Sequence, residues 1–240
     1  MGKNSMQDND FVQLQKRIGV KFKNQDLLRQ ALVHRSYLNE NPSFHLGHNE
    51  RLEYLGDAVL ELVVTDFLFV NFPHATEGDM TSWRASLVNS KMLAKISREL
   101  NVEPLLYLSK GESKDTSSKA RSYILTNALE ALIGAMYLDR GYKTAEKFIK
   151  KFVLVQLPNI LAQRLDVDPK SKFQELAQER MRVTPRYDVL EEKGPDHAKW
   201  FRVGVFLGDE LVASGQGSSK QEAQMDAARA GLEAKNWQDE

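Results

Sequence analysis

The sequence contains no cysteine, which excludes disulfide bonds and thiolate metal sites. Any metal must therefore be held by oxygen or nitrogen ligands. Long hydrophobic runs are missing as well, because the most apolar stretch, residues 58–72, is interrupted by Glu61, Asp66 and Asn71 and cannot span a membrane. The polar first ten residues lack the apolar core of a signal peptide. We therefore expect a cytoplasmic protein with no membrane partner.

An excess of charge of either sign is also missing. The chain has 33 Lys and Arg against 33 Asp and Glu, so its formal net charge is zero. From Asp168 to the end, 11 Lys and Arg stand against 14 Asp and Glu, a net charge of −3. Charge alone therefore gives no support for nucleic-acid binding. Such binding would need a local stripe of cations, or metal ions that offset carboxylates.

What the sequence does contain is two segments with different hydrophobic periods. The first reads as successive helices, over about 26–32, 49–69, 79–99, 120–139 and 144–156, with a polar exposed loop between 108 and 119. After residue 169 a helix, three short strands and a final helix follow, with Gly208 and Asp209 in a hairpin turn. The predicted fold is multidomain: an all-α domain (8–157), a linker (158–167) and an α+β domain of order α-β-β-β-α (168–237).

Carboxylates gather on one face of the second predicted helix. At about 100° per residue, Glu50, Glu53 and Asp57 fall within about 60° of each other, while Leu52, Leu55, Val59 and Leu62 take the opposite, packing side. Stacked acids repel each other, and no lysine intervenes before Glu61, which we interpret as surface charge. A divalent cation with oxygen ligands would remove the repulsion.

A second helix offers a matching pair, Asn127 and Glu130, on a surface otherwise apolar enough to be buried. A buried carboxylate needs a partner, and the first helix supplies only acids, so a metal bridging the two helices resolves both problems. The alternative is a solvated acidic face together with a buried pair between Glu130 and Arg51 or Arg84.

The run Glu-Arg-Leu-Glu-Tyr-Leu-Gly-Asp at 50–57 resembles the signature of the ribonuclease III family. The blocks at 34–37, 77–80 and 128–135 match the family in the same order. The C-terminal segment is similar to a double-stranded-RNA-binding domain, so the resemblance covers nearly the whole chain. Several blocks in register make it specific.

The resemblance implies a homodimeric endonuclease that hydrolyses double-stranded RNA with Mg²⁺ or Mn²⁺, leaves 5′-phosphate and 3′-hydroxyl ends, and processes ribosomal, messenger and transfer RNA precursors. It assigns the following residues: catalytic Asp57 and Glu130; metal-binding Glu53, Asp57, Asn127 and Glu130; auxiliary acidic Glu50 and Glu77; and Tyr54 at the dimer interface. Without the resemblance, Tyr54 would equally fit an ordinary core aromatic. His34 is interpreted as structural rather than catalytic.

One departure concerns Asn127, where the family usually carries aspartate. An amide oxygen can ligate a cation but brings no negative charge, so we expect weaker metal affinity. The alternative function is therefore a double-stranded-RNA-binding protein with weak or no cleavage.

In the C-terminal domain the resemblance assigns contacts with the RNA minor groove and backbone. These fall on Gln174, Glu175, Gln178, His197, Lys199, Ser219 and Lys220. Ser218 or Ser219 caps the final helix, whose N-terminal amides favour a phosphate. Gln221 and Gln224 stand where the family usually carries bases, which indicates a thinned phosphate anchor.

Overall fold

The structure is a computed structural model that describes residues 2–115, 119–162, 168–195 and 199–237, with side chains from residue 9 onward. The chain divides into two compact units, Met1–Asp166 and Val167–Glu240. Each is described by itself. Of the sequence predictions, His197 lies outside the described residues.

The first unit is helical. Its helices are α1 (Gly2–Ile18), α2 (Gln25–Gln30), α3 (Arg35–Glu40), α4 (Glu50–Asn71), α5 (Glu77–Val88), α6 (Ser90–Glu99), α7 (Lys110–Lys114), α8 (Lys119–Arg140), α9 (Tyr142–Phe152) and α10 (Leu157–Ala162). Short 3-10 turns cover Glu103–Leu105 and Leu154–Gln156. Helix α8 is the centre of the core, because every residue from Ala128 to Met136 is buried. The predicted all-α fold is confirmed.

The predicted helix over 79–99 is in fact two helices. Asn89 adopts an extended conformation (φ −69°, ψ 158°), and its side chain accepts a hydrogen bond from the Met92 backbone N–H, which caps α6. The asparagine side chain can hydrogen-bond a backbone N–H in place of a helical carbonyl, so Asn89 ends one helix and begins the next where periodicity predicted a single helix.

Two segments differ from the predicted loop and linker. The polar stretch 108–119 contains α7, whose N-cap Ser109 accepts a hydrogen bond from the Glu112 N–H. Helix α10 lies largely within the predicted linker, because Leu157 and Ile160 are buried in the helical core. The exact domain limits stay a prediction.

Two glycines allow α4 and α8 to cross in backbone contact. A Cβ atom at Gly56 would lie 1.7 Å from the Glu130 carbonyl oxygen, and one at Gly134 would lie 2.2 Å from the Leu52 carbonyl oxygen. Neither position therefore accepts any other residue without moving a helix. The crossing holds the predicted carboxylate face of α4 against α8, the helix that carries the second predicted pair of site residues.

The second unit is an α+β module. Helix α11 (Pro169–Met181) precedes strands β1 (Arg186–Lys193), β2 (Trp200–Leu207) and β3 (Glu210–Gly217), and α12 (Lys220–Ala234) follows. The strands form an antiparallel sheet in the order β1-β2-β3. The predicted alternation on β2 is confirmed, since Phe201, Val203, Val205 and Leu207 are all buried.

Both helices of this module pack with the sheet through small or aromatic residues. Phe173 of α11 contacts the core that holds Val205 and Ala227. A Cβ atom at Gly215 would lie 2.0 Å from the Ala227 backbone nitrogen, so α12 lies directly on β3. Gly208 has φ +62° in the turn between β2 and β3, as the predicted hairpin requires.

Candidate active site and nucleic-acid interface

The crossing of α4 and α8 brings four predicted site residues together. Glu53 and Asp57 lie one turn apart on α4, on either side of Gly56, while Asn127 and Glu130 lie on α8 before Gly134. Glu130 is only 9% exposed, Glu53 is half-buried and Asp57 is exposed. The arrangement forms an acidic cluster that is buried at Glu130 and exposed to solvent at Asp57.

The carboxyl groups of the site affect one another's pKa values. Burial, together with the charges of Asp57 and Glu53, raises the pKa of Glu130 to about 8. Burial also raises the pKa of Glu53, as do Glu50 and Asp57. The pKa of Asp57 is raised by burial and by Glu61. Glu61 is exposed, as expected for surface charge, and its charge also reaches Asp57.

No protein cation neutralises this group in the part of the chain that the structure describes. Neither Glu53, Asp57 nor Glu130 forms an ion pair there. Arg84 instead donates a hydrogen bond from Nη1 to Thr65 Oγ1 at 3.0 Å. The alternative of a buried pair between Glu130 and an arginine is therefore absent from these residues.

Asn127 is half-buried and its side-chain amide hydrogen-bonds the Glu53 carboxylate, which lowers the pKa of Glu53 and partly offsets the other effects. The residue that replaces the usual acid thus supplies a donor to a neighbouring carboxylate. An amide offers both a donor and an acceptor, so its oxygen is still available for a cation.

The donor set fits a divalent cation. Three carboxylates and an amide are hard oxygen ligands. Burial and the neighbouring acids raise the pKa values of the three carboxyl groups, and a cation bound there would favour their ionised forms. Among the described residues, however, no group of three or more His, Asp or Glu side chains already has an arrangement that could hold a metal ion. The chemistry of the ligands fits, and an ion would have to draw them closer.

The auxiliary acids are placed differently from each other. Glu50 lies 3.6 Å from Arg35 Nη1 and 3.7 Å from His48 Nδ1, and its charge reaches Glu53. Glu77 begins α5 and lines a separate shallow pocket with Thr65 and Arg84. Thr65 is eight residues beyond Asp57, about 12 Å along the helix axis, so this pocket is centred farther along α4 than the acidic cluster. The auxiliary role of Glu77 stays a prediction.

Two further predicted residues have clear positions. His34 caps α3, with Nδ1 accepting a hydrogen bond from the Ser36 N–H at 3.3 Å, and burial lowers its pKa. Tyr54 is 84% exposed, so the reading as a core aromatic is wrong. Leu62, placed on the packing side of α4, is 57% exposed and does not belong to the core either. Helix α4 therefore presents apolar side chains on its outer surface.

Sequence reasoning missed the glycines that position the site. Gly56 directly precedes Asp57, and Gly134 follows Glu130 by one helical turn. Both positions can be read from the sequence. Glycine costs helix stability, so two of them in helices rich in alanine and leucine signal a close approach.

In the second unit, those predicted contact residues that the structure describes are exposed or half-exposed. Gln174, Glu175 and Gln178 lie on one side of α11, and Gln178 Nε2 donates to Thr184 Oγ1 at 3.3 Å. Ser219 caps α12 by accepting a hydrogen bond from the Glu222 N–H at 3.1 Å.

The two predicted basic contacts share one acidic partner. Lys199 Nζ lies 2.8 Å from Glu192 Oε1, and Lys220 Nζ lies 4.0 Å from Glu192 Oε2. Gln224 accepts a hydrogen bond from Lys170 Nζ at 2.7 Å, so a lysine from α11 reaches the position where the family usually has a base.

Comparisons with known proteins agree with this geometry. The Ribonuclease-III-like family matches residues 24–157, and the Double-stranded RNA binding motif matches residues 169–235. Ribonuclease 3 from Carboxydothermus hydrogenoformans is 41% identical over 95% of this chain and 97% of its own length. Ribonuclease 3 from Sulfurovum sp. is 41% identical over 94% and 98%.

A solved structure is similar to the helical unit. The nuclease domain of ribonuclease III from Campylobacter jejuni is 38% identical, with a TM-score of 0.54, and covers 61% of this chain and 97% of that domain. Its description refers to structural flexibility in a region involved in dimer formation. None of the helices in the described ranges of this chain is long and apolar enough to cross a membrane.

Proposed function

The chain belongs to the ribonuclease III family and is an endonuclease of double-stranded RNA, and from this premise we propose how its residues divide the work. Glu53, Asp57, Asn127 and Glu130 form the cleavage site, and Asp57 and Glu130 are its catalytic residues. The observation that carries this assignment is the convergence at the Gly56–Gly134 crossing of three carboxylates that form no ion pair among the described residues.

The metal that these four residues would hold is Mg²⁺, with Mn²⁺ as a substitute. Such an ion, when bound, supplies Lewis-acid polarisation of water and of the phosphate oxygens. The residues themselves contribute ligands of suitable hardness and a net negative field that attracts the ion. Glu50, which already pairs with Arg35, adds to this field from the edge of the site.

Glu130 has a second role in this proposal. In the metal-free protein its pKa is about 8, so binding of a cation to this carboxyl group at neutral pH would release its proton. Its burial at the helix crossing also fixes its position relative to Asp57. A carboxylate at this place can orient a water molecule for attack on a phosphodiester bond.

We propose that the products carry 5′-phosphate and 3′-hydroxyl ends, and that the substrates are structured ribosomal, messenger and transfer RNA precursors in the cytoplasm. The contacts with the duplex come from Gln174, Glu175, Gln178 and His197, which face the minor groove, together with Lys199, Ser219 and Lys220 at the backbone. Such contacts read the A-form shape rather than sequence.

We further propose a homodimer, because one acidic cluster cuts one strand and a double cut needs two clusters. Tyr54, exposed beside a cavity of about 690 Å³ that Leu55 and Leu138 help to line, is the anchor of this interface.

Tyr54→Glu should make the protein monomeric in sedimentation velocity. Tyr123→Glu, at an aromatic residue of α8 that is 48% exposed, is the control and should remain dimeric. A dimeric Tyr54→Glu variant would refute this interface.

The second candidate function is duplex binding with weak or no cleavage. It is favoured by Asn127, which supplies no charge, and by the lack of a ready metal-ligand group among the described residues. A cleavage assay on a plain RNA duplex, with and without Mg²⁺, separates the two. Metal-dependent cutting supports the endonuclease with this site, and binding without cutting at every Mg²⁺ concentration supports the second candidate.

A further inference from the structure

The antiparallel register of the second unit brings an acid and two lysines from distant parts of the module together. Glu192, near the end of β1, lies opposite Phe201 of β2, and Phe201 lies opposite Gly217 at the end of β3. Lys199 immediately precedes β2, and Lys220 begins α12 just after β3. The sheet therefore places Glu192 between these two lysines.

The carboxylate of Glu192 bridges the two ammonium groups with different oxygens. The Lys199 Nζ–Oε1 distance is 2.8 Å and the Lys220 Nζ–Oε2 distance is 4.0 Å. The hydrogen bond from Lys199 lowers the pKa of Glu192, and the charge of Lys220 lowers it further, so the group is negative at neutral pH. Lys220 also lies over the Phe201 ring, with Nζ 5.7 Å from its centroid.

We propose that Glu192 is an internal competitor for the RNA backbone: by holding Lys199 and Lys220 it sets the affinity and the salt dependence of duplex binding. This inference rests on the proposed role of the two lysines in binding RNA. A phosphate that reaches either lysine must displace the carboxylate, whose negative charge then remains a few ångströms away. In a module of net charge −3, this one acid contacts both lysines that are assigned to the RNA backbone.

A purely structural role for Glu192 is a weaker explanation of the same contacts. The three side chains are exposed by 35% to 60%, and ion pairs this exposed contribute little to folding stability. The neighbouring acid Glu191 provides a matched control. It pairs with Lys193, at 2.5 Å, and has 37% side-chain exposure against 39% for Glu192, but it contacts neither proposed RNA-binding lysine.

The test is equilibrium binding of the full-length protein to a fluorescent blunt RNA duplex of about 16 base pairs, the length that one such module spans. Measurements are made in EDTA, across a series of salt concentrations, for the wild type and for Glu192→Gln, Glu191→Gln, Lys199→Gln and Lys220→Gln. Glu192→Gln should bind roughly threefold to tenfold more tightly at low salt and steepen the slope of log affinity against log salt by up to about one unit. Glu191→Gln should stay close to the wild type.

Each other outcome has a distinct meaning. If both lysine variants weaken binding while Glu192→Gln binds no more tightly than the wild type, the inference is overturned and the proposed RNA contacts stand. If neither lysine variant weakens binding, the proposed contacts themselves are wrong and the inference falls with them. The gain from Glu192→Gln should disappear in a variant that also carries Lys199→Gln and Lys220→Gln, and persistence of the gain would show an effect that bypasses the lysines.

Discussion

The buried carboxyl group of Glu130 should make the metal-free protein less stable than its Glu130→Gln variant at neutral pH. The pKa of Glu130 is raised from 4.5 to about 8 by burial and by Asp57 and Glu53. Between these two values the folded state retains a proton that the unfolded state has lost. The free energy of unfolding therefore falls as the pH rises from about 4.5 to about 8.

The magnitude follows from the size of the shift. At about pH 7.5 the wild type should lose roughly 4 kcal/mol relative to a neutral side chain in the same place, against less than about 1 kcal/mol at about pH 5. Gln has the same shape as Glu but no charge, so the variant should escape this loss. A stabilising change at a cleavage residue would show that the site retains its acid at a cost to folding.

Thermal unfolding of the helical unit, followed by far-UV circular dichroism in EDTA at the two pH values, measures this difference. Glu99→Gln is the control, because Glu99 forms an exposed pair with Lys95 on α6. The reasoning is refuted if Glu130→Gln and the wild type show the same pH dependence, or if the variant is the less stable protein at about pH 7.5.

Three further predictions concern the site and the RNA surface. Asn127→Asp should lower the Mg²⁺ concentration for half-maximal cleavage by roughly tenfold to a hundredfold, since it adds a charge beside the proposed ion; superimposable Mg²⁺ titrations would remove residue 127 from the site. Gly56→Ala should cost more than the roughly 1–3 kcal/mol of ordinary overpacking, measured by urea denaturation, whereas Gly47→Ala, whose Cβ would meet only Gln30 Nε2 at 3.4 Å, should not. The salt dependence of duplex binding by the isolated C-terminal module should correspond to about two to four phosphate contacts, and Gln221→Lys should steepen it by about one unit; a slope for about eight contacts would contradict this.

The helical unit could be predicted from periodicity where helices are long and apolar. Helix α8 and the packing side of α4 at Leu52 and Val59 are confirmed, because burial there enforces the 3.6-residue period. The break at Asn89 was missed, because a capping side chain interrupts the helix without interrupting the hydrophobic pattern. Periodicity could not predict that Tyr54 and Leu62 are exposed, because it does not show which apolar side chains remain uncovered.

The candidate site could also be predicted only in part from the sequence. Spacing alone placed Glu53 with Asp57 and Asn127 with Glu130, because residues three or four apart share a helix face. The distance between the two helices is decided by Gly56 and Gly134. The effect of Glu61 on the pKa of Asp57 acts within α4, between residues four apart, and could be predicted from the sequence. The pairing of Glu192 with Lys199 and Lys220 depends on strand register, which the sequence does not state.

The central claim is that Glu130 belongs to the cleavage site of a metal-dependent endonuclease. Its most direct test is the initial rate of cleavage of a plain RNA duplex in saturating Mg²⁺ by the wild type, Glu130→Gln and Glu99→Gln, with duplex binding measured on the same preparations in EDTA. Glu130→Gln should lose cleavage and keep binding, while Glu99→Gln should retain both. Cleavage by Glu130→Gln at close to the wild-type rate would contradict it.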